Sequence, residues 1–196
     1  KLNVPVLMET EVTPELVKKE NPDVIFAATG AEPIIPNIPG IDRPNVVTAH
    51  DVLGGKVNTG NRVVVMGGGC VGAETANQLA NYLKCVTIIE MLDAIAGDEI
   101  VVPRWDLLED LDRNKVRICT KTTVDEITDA GVKVSGAVNE VIPCDTVVLA
   151  VGAKPVLGLA DELKKEGYDV RVIGDASKVG LGGEAIMEGF EVGRTI

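Results

Sequence analysis

NRVVVMGGGCVGAETANQLANYLKCVTIIE, at residues 61–90, holds an apolar run, a cluster of glycines, a helical pattern and a second apolar run that ends in a carboxylate. Val63, Val64 and Val65 are consecutive, β-branched and uncharged, the composition of a parallel strand covered on both faces. Gly67, Gly69 and Gly72 then give the spacing G-x-G-x-x-G, with Gly68 and Val71 inside the same turn. In such a turn the first glycine permits the bend, the second lets backbone approach a pyrophosphate, and the third lets helix and strand pack closely. Ala73, Ala76, Leu79, Ala80 and Leu83 follow at helical spacing, so a phosphate would rest on a helix N-terminus. Glu90 closes the next strand, about twenty residues past the glycines. Strand before, helix after and acid beyond together separate a dinucleotide site from a tight turn that binds nothing. A carboxylate at Glu90 accepts hydrogen bonds from the adenosine ribose and repels the extra phosphate of NADP. Met91, Leu92 and Asp93 offer no Arg or Lys to hold that phosphate, so NAD(H) is the expected nucleotide.

Working outward, the 196 residues, 45% of them hydrophobic, suffice for one good core or two small ones. The net charge of −11 is spread along the chain without a basic patch, which argues against nucleic acid as a partner. No apolar run approaches the ~20 residues that span a bilayer, and no signal-peptide layout is present. A cytoplasmic protein with no membrane partner is expected. Cys70, Cys85, Cys119 and Cys144 form no C-x-x-C pair, so neither a metal site nor a cysteine redox centre is expected. Cys85 and Cys119 read as small buried hydrophobes at strand edges. Cys70 falls at the helix N-terminus, where the dipole favours a thiolate, but with no second thiol or His nearby in sequence it reads as packing. His50 is the only histidine and reads as a surface or capping residue rather than a base.

Residues 4–9 have a short strand pattern, and Thr13, Pro14 and Glu15 then read as N-cap, first-turn proline and first-turn acid of a helix ending near Glu20. Residues 24–28 are a buried-type strand, residues 36–44 a proline-rich linker, and Thr48 caps a helical turn through Leu53. Residues 103–114 give a second crossover helix from the spacing of Trp105, Leu108 and Leu111. The short patterns at 116–119, 122–127, 132–134 and 140–142 suggest an antiparallel meander over one side of the parallel sheet. Residues 147–151 and 170–175 are further strands, and a helical run opens at Gly182, Gly183 and Glu184. One internal similarity stands out: VIFAATGAEP at 24–33 and VVLAVGAKP at 147–155 share a strand, a glycine turn, a charge and a proline, as two related nucleotide-binding lobes would. Asp175, at a strand end beside a glycine-opened helix, suits sugar hydroxyls with its acid and an electron-rich ring edge with the helix dipole. No strand and glycine turn precede the first helix and residue 1 is Lys, so a fragment of a larger polypeptide is expected.

These landmarks in order, ATGAEP, GGGCVGAE with its trailing Glu, AVGAKP and IGDAS followed by EAIMEGFEVGR, resemble the pyridine nucleotide-disulphide reductase fold. More closely, they are similar to the C-terminal part of NADH:flavin oxidoreductases of the 2-enoate reductase and 2,4-dienoyl-CoA reductase type. The resemblance implies an α/β fold, a Rossmann-like parallel sheet with an antiparallel β-meander, in which an NAD domain is inserted in a partial FAD domain. It implies a partial FAD lobe and linker at 1–57, the NAD(H)-binding domain at 58–145, and a return to the FAD lobe at 146–196. Carried over by motif, Gly67, Gly68, Gly69, Val71, Gly72 and Glu90 would hold NADH, with Gly152 on its nicotinamide side. Thr29 and Gly30 would lie beside FAD, Gly174 and Asp175 at its ribityl chain, and Gly183, Glu184 and Ala185 at its ring. No residue is assigned a catalytic or metal-binding role. FMN, a 4Fe-4S cluster and the substrate barrel would belong to an upstream part of the same polypeptide, so this chain alone would not reduce an enoate or enoyl-CoA. Two other readings stay open: a non-catalytic module holding an adenine nucleotide, and a simple NADH oxidase or disulphide-type reductase.

Overall fold

The computed structural model describes residues 3–97 and 101–196. In chain order it forms helix α1 (Pro14–Glu20), strands β1 (Ile25–Ala27), β2 (Ala31–Pro33) and β3 (Val46–Thr48), then α2 (Ala49–Leu53), β4 (Arg62–Met66), α3 (Cys70–Asn81) and β5 (Cys85–Ile89). Helix α4 (Val101–Arg113) leads to β6 (Arg117–Cys119), β7 (Thr122–Thr128), β8 (Gly131–Gly136), β9 (Glu140–Ile142), β10 (Thr146–Leu149) and β11 (Ala153–Pro155). Helix α5 (Gly158–Lys165), β12 (Val170–Val172), a 3₁₀ turn (Gly174–Ala176) and α6 (Gly182–Gly193) complete it. The chain divides into two compact units, one of residues 33–153 and the other of residues 1–32 with 154–196.

Unit 33–153 is built on a five-stranded parallel sheet in the order β3-β10-β4-β5-β6. Strand alternation explains why its central segments are apolar without a break. Val63 and Val65 pack with Ala73, Ala76, Leu79 and Leu111 of α3 and α4, whereas Val64, between them, packs with Val124, Ile127, Val132 and Val134 of the meander. A strand covered on both faces has no place for a polar side chain. In β10 the same division sends Val148 to the helices and Val147 and Leu149 to the meander. Each fully buried Val contributes about 1.5–3 kcal/mol relative to exposure, so this three-layered stack is the main source of the unit's stability.

Several expectations are corrected. Residues 116–119 supply β6, which pairs parallel with β5 rather than joining the meander, and the meander is the three strands β7-β8-β9. A strand reached through a crossover helix, here α4, returns parallel to the one it left, and three residues carry too little pattern to show it. β3, for which no strand is expected from sequence, forms just past the proline-rich stretch and lies parallel to β10. β3 and β10 both join the sheet of β4, within the compact unit 33–153. Leu83 falls beyond α3, left-handed (φ 60) and exposed. Cys85 is exposed at the start of β5, while Cys119 is buried as expected.

The other unit has its own small core of Val17, Ala27, Ala160, Leu163 and Val170. β1 runs parallel to β12. Thr13 caps α1 by accepting the Leu16 N–H at 3.3 Å. Thr48, in the sheet-bearing unit, caps α2 through the Asp51 N–H at 3.1 Å. Both caps are legible from sequence. Residues 4–8 form no strand, and Val4, Val6, Leu7 and Met8 are exposed; an apolar alternation becomes a strand only where another strand accepts its backbone. α5 is a helix that the sequence reading does not anticipate. Within this unit Gly30 O accepts the Val156 N–H at 3.0 Å and Glu32 pairs with Lys154 at 3.1 Å; within unit 33–153, Gly152 O accepts the Ile34 N–H at 3.0 Å.

Candidate functional site: a nucleotide cleft at the glycine turn

The turn between β4 and α3 is shaped by two backbone collisions that only glycine avoids. Gly67 has φ 101, and a Cβ there would lie 2.3 Å from the Ala150 carbonyl oxygen. A Cβ on Gly72 would lie 2.0 Å from the Gly67 carbonyl oxygen. The first and third glycines thus let α3 start directly against the ends of β4 and β10. Gly69 is the N-cap of α3 and supplies no side-chain acceptor, which leaves a helix N-terminus suited to an anion.

Glu90 is 8% exposed, and its carboxylate is held by two backbone donors: Gly68 N–H to Oε2 at 2.6 Å and Leu92 N–H to Oε1 at 2.7 Å. A carboxylate has about four lone-pair positions, so both oxygens retain capacity for ribose hydroxyls. The residues after Glu90 curl back over the turn, where the Ala96 N–H donates to Gly68 O at 2.7 Å and Ile95 and Ala96 are buried.

Together these elements enclose a cleft of about 640 Å³ inside unit 33–153. Gly67, Gly68, Gly69, Glu90 and Gly152 all line it. Gly152 comes from the end of β10, more than sixty residues downstream in sequence of Glu90. Val71 and Gly72 do not line it; Val71 is 44% exposed on α3, and Gly72 acts through packing. Sequence reasoning missed Thr122, Thr123 and Val124 on β7, together with Ala94 and Ala150, as further lining. Nothing in residues 122–124 distinguishes a cleft wall from any other strand start. Among the described lining residues Glu90 is the only titratable side chain, and these residues hold and orient rather than supply an acid–base pair.

The remaining assigned residues lie in the other unit. Thr29 donates its hydroxyl to Val156 O at 2.6 Å, and Gly30 is left-handed at φ 72. Gly174, with φ 64, donates its N–H to Glu188 Oε2 at 2.6 Å. Asp175 Oδ1 accepts from Gly180 N–H at 3.2 Å. Gly183 stands at the start of α6 with open space where a Cβ would be. Glu184 accepts the Leu181 N–H at 2.9 Å, and with Lys178, Ala185 and Glu188 it lines a cavity of about 250 Å³.

The sequence profile of pyridine nucleotide-disulphide oxidoreductases matches residues 8–177. The chain belongs to that family. It is 42% identical over 188 residues to an NADH oxidase of Thermoanaerobacter brockii, covering 91% of this chain and 28% of that protein. A bilirubin reductase of Mediterraneibacter gnavus is 39% identical over 178 residues, 90% of this chain and 28% of that one. The solved structure of a 2-naphthoyl-CoA reductase superposes with a TM-score of 0.89 at 34% identity, over 95% of this chain and 29% of that one. The chain therefore spans less than a third of the length of these relatives. Members of that family use NAD(H) and FAD, and this chain has their α/β fold. The two positions where a Cβ would strike backbone, Gly67 and Gly72, are the ones that a dinucleotide-binding glycine turn uses for its bend and for close packing of helix on strand. Among the described residues no group of three His, Cys, Asp or Glu is placed to hold a metal, and no helix is long and apolar enough to cross a membrane.

Proposed function

We propose that this chain is the NADH-binding, electron-input part of a longer cytoplasmic flavoenzyme of the 2-enoate reductase and 2,4-dienoyl-CoA reductase type. One observation carries the reading: a single cleft brings the Gly67 turn, the buried Glu90 carboxylate and Gly152 together. In it, the Gly69 end of α3 receives the pyrophosphate, Glu90 binds the adenosine ribose and excludes a 2′-phosphate, and Gly152 borders the nicotinamide. Thr29, Gly30, Gly174, Asp175 and the Gly183, Glu184 and Ala185 turn of α6 serve FAD. When both are bound, NADH supplies a hydride that FAD accepts. The chain's own contribution is orientation and exclusion of water, in keeping with Glu90 being the one titratable group among the described lining residues.

FMN, a 4Fe-4S cluster and the enoate or enoyl-CoA site belong to the upstream barrel of the same polypeptide in this proposal. Relatives named for cinnamate, a 2-enoate, and for 2-naphthoyl-CoA support that substrate class, and their greater length supports a further domain. Exposed apolar side chains on the unit assigned to FAD, among them Val6, Met8, Ile186, Met187 and Phe190, fit a surface that other parts of the polypeptide cover.

Anaerobic stopped-flow mixing of the intact protein with NADH tests this. Bleaching of flavin absorbance is expected, faster with NADH than with NADPH; no bleaching with FAD bound refutes electron input. Equal calorimetric affinity for ADP and NADH would favour the non-catalytic adenine-nucleotide module instead.

A further inference from the structure

The peptide group between Ile95 and Ala96 is held at both ends. Its carbonyl accepts Arg104 Nε at 3.2 Å and Nη2 at 3.0 Å, and its N–H, that of Ala96, donates to Gly68 O at 2.7 Å. Arg104 lies on α4, the next element along the chain. Ala96 is fully buried with φ 48, a left-handed conformation that an alanine holds only where its surroundings enforce it. Ile95 is packed against the turn so closely that a Cβ on Gly68 would lie 2.6 Å from its Cγ2.

We infer that Arg104 is a positioning residue for the pyrophosphate of the bound dinucleotide, acting through this peptide on the Gly68–Gly69 peptide of the turn; the inference rests on the nucleotide reading of the cleft. A charged donor on the Ile95 carbonyl polarises the peptide and strengthens the Ala96 N–H as a donor. That N–H fixes the direction of the Gly68 carbonyl. In a planar trans peptide the N–H of the next residue is antiparallel to the carbonyl, so the Gly69 N–H is turned away from the Ile95–Ala96 loop. Gly69 lines the cleft, and its N–H is the donor a phosphate oxygen would use. Without Arg104, the charged donor that opposes rotation of the Ile95–Ala96 peptide is lost, and the left-handed Ala96 relaxes. The Gly68 carbonyl then loses its partner and the phosphate donor its direction. Arg104 touches no nucleotide in this arrangement. Its effect is specific to the phosphate because Glu90, which serves the ribose, is held by other donors.

Calorimetry on the intact protein with adenosine, ADP and NADH, for the unsubstituted form, Arg104→Met and Arg104→Lys, separates this role from a general loosening of α4. Arg104→Met is expected to weaken ADP and NADH alike by about five- to tenfold and adenosine by less than about twofold, with Arg104→Lys between Met and Arg because it keeps one charged donor. Unchanged ADP and NADH binding overturns the inference, as does an equal loss for adenosine and ADP, or a Lys variant no better than Met. If Arg104→Met does not fold, Arg104→Lys against the unsubstituted form decides: a loss for ADP exceeding that for adenosine supports the role, and no such difference overturns it. If the unsubstituted protein binds neither ADP nor NADH, the nucleotide reading falls and takes this inference with it. Binding of both that is indifferent to Arg104 removes this inference alone.

Discussion

Gly72→Ala adds one methyl group at the closest backbone approach in the glycine turn. The new Cβ would stand 2.0 Å from the Gly67 carbonyl oxygen, 3.0 Å from its carbon and 3.2 Å from Ala150 Cβ. Relief to ordinary contact requires the start of α3 to move by roughly 1.5 Å. Gly67 cannot yield instead. Its N–H is bonded to Ile89 O at 2.9 Å, and the space beside its Cα is closed by the Ala150 carbonyl. Overpacking of this kind costs about 1–3 kcal/mol, which for a chain of this length lowers the unfolding midpoint by about 2–10 °C. The same displacement carries the helix N-terminus away from the pyrophosphate, so NADH affinity should fall about tenfold or more through weakened charged hydrogen bonds. Differential scanning calorimetry and NADH titration measure the two losses. Gly158→Ala is the control, since a Cβ there meets nothing within 4 Å and should leave both quantities unchanged. A Gly72→Ala protein that melts within about 1 °C of the original and binds NADH within about twofold would refute the packing argument.

Glu90→Ala should weaken NADH by about tenfold and narrow the preference over NADPH, because it removes the charge facing the ribose and leaves the Gly68 and Leu92 N–H groups unpaired. Glu90→Gln, which keeps an acceptor without the charge, should retain more NADH affinity while relaxing the same preference; an original protein that already prefers NADPH contradicts this reading of Glu90. For acid stability, Asp145 is held down to about 2 from 3.8, first by the Arg62 side chain and then by the Arg62 and Asn61 N–H groups. Its folded value lies below its unfolded one, so its contribution is present above about pH 4 and is lost as pH falls toward 2. Chemical denaturation from pH 2 to 6 should show the gap between the original protein and Asp145→Asn constant at the upper end and closing at the lower. A gap that persists unchanged at pH 2 would show that the carboxylate's charge is not what matters.

Which parts were readable in advance follows the range of the interactions involved. Thr13 and Thr48 announce their helices because a cap acts over three residues. The 61–90 stretch is legible because strand, turn, helix and acid are consecutive and each obeys a local rule. β6 and β3, each three residues long, take their identity from the neighbour they bond to, and that neighbour lies elsewhere in the sequence. The cleft-lining residues of the glycine turn and Glu90 belong to one contiguous motif, whereas Gly152 is assigned only through the family resemblance of AVGAKP.

The sequence by itself determined that a glycine turn between a buried strand and a helix, followed by an acid, would form, because chain stereochemistry and side-chain alternation act between near neighbours. Only the tertiary structure decided what surrounds that turn. Insertion of β10 beside β4 brought Gly152 and Ala150 to it, and the meander supplied Thr122 and Val124 as a wall. The return of residues 91–97 placed the Arg104-held peptide on the Gly68 carbonyl. Those contacts join residues tens of positions apart, and they are chosen by how whole layers bury their apolar faces, which no local pattern records.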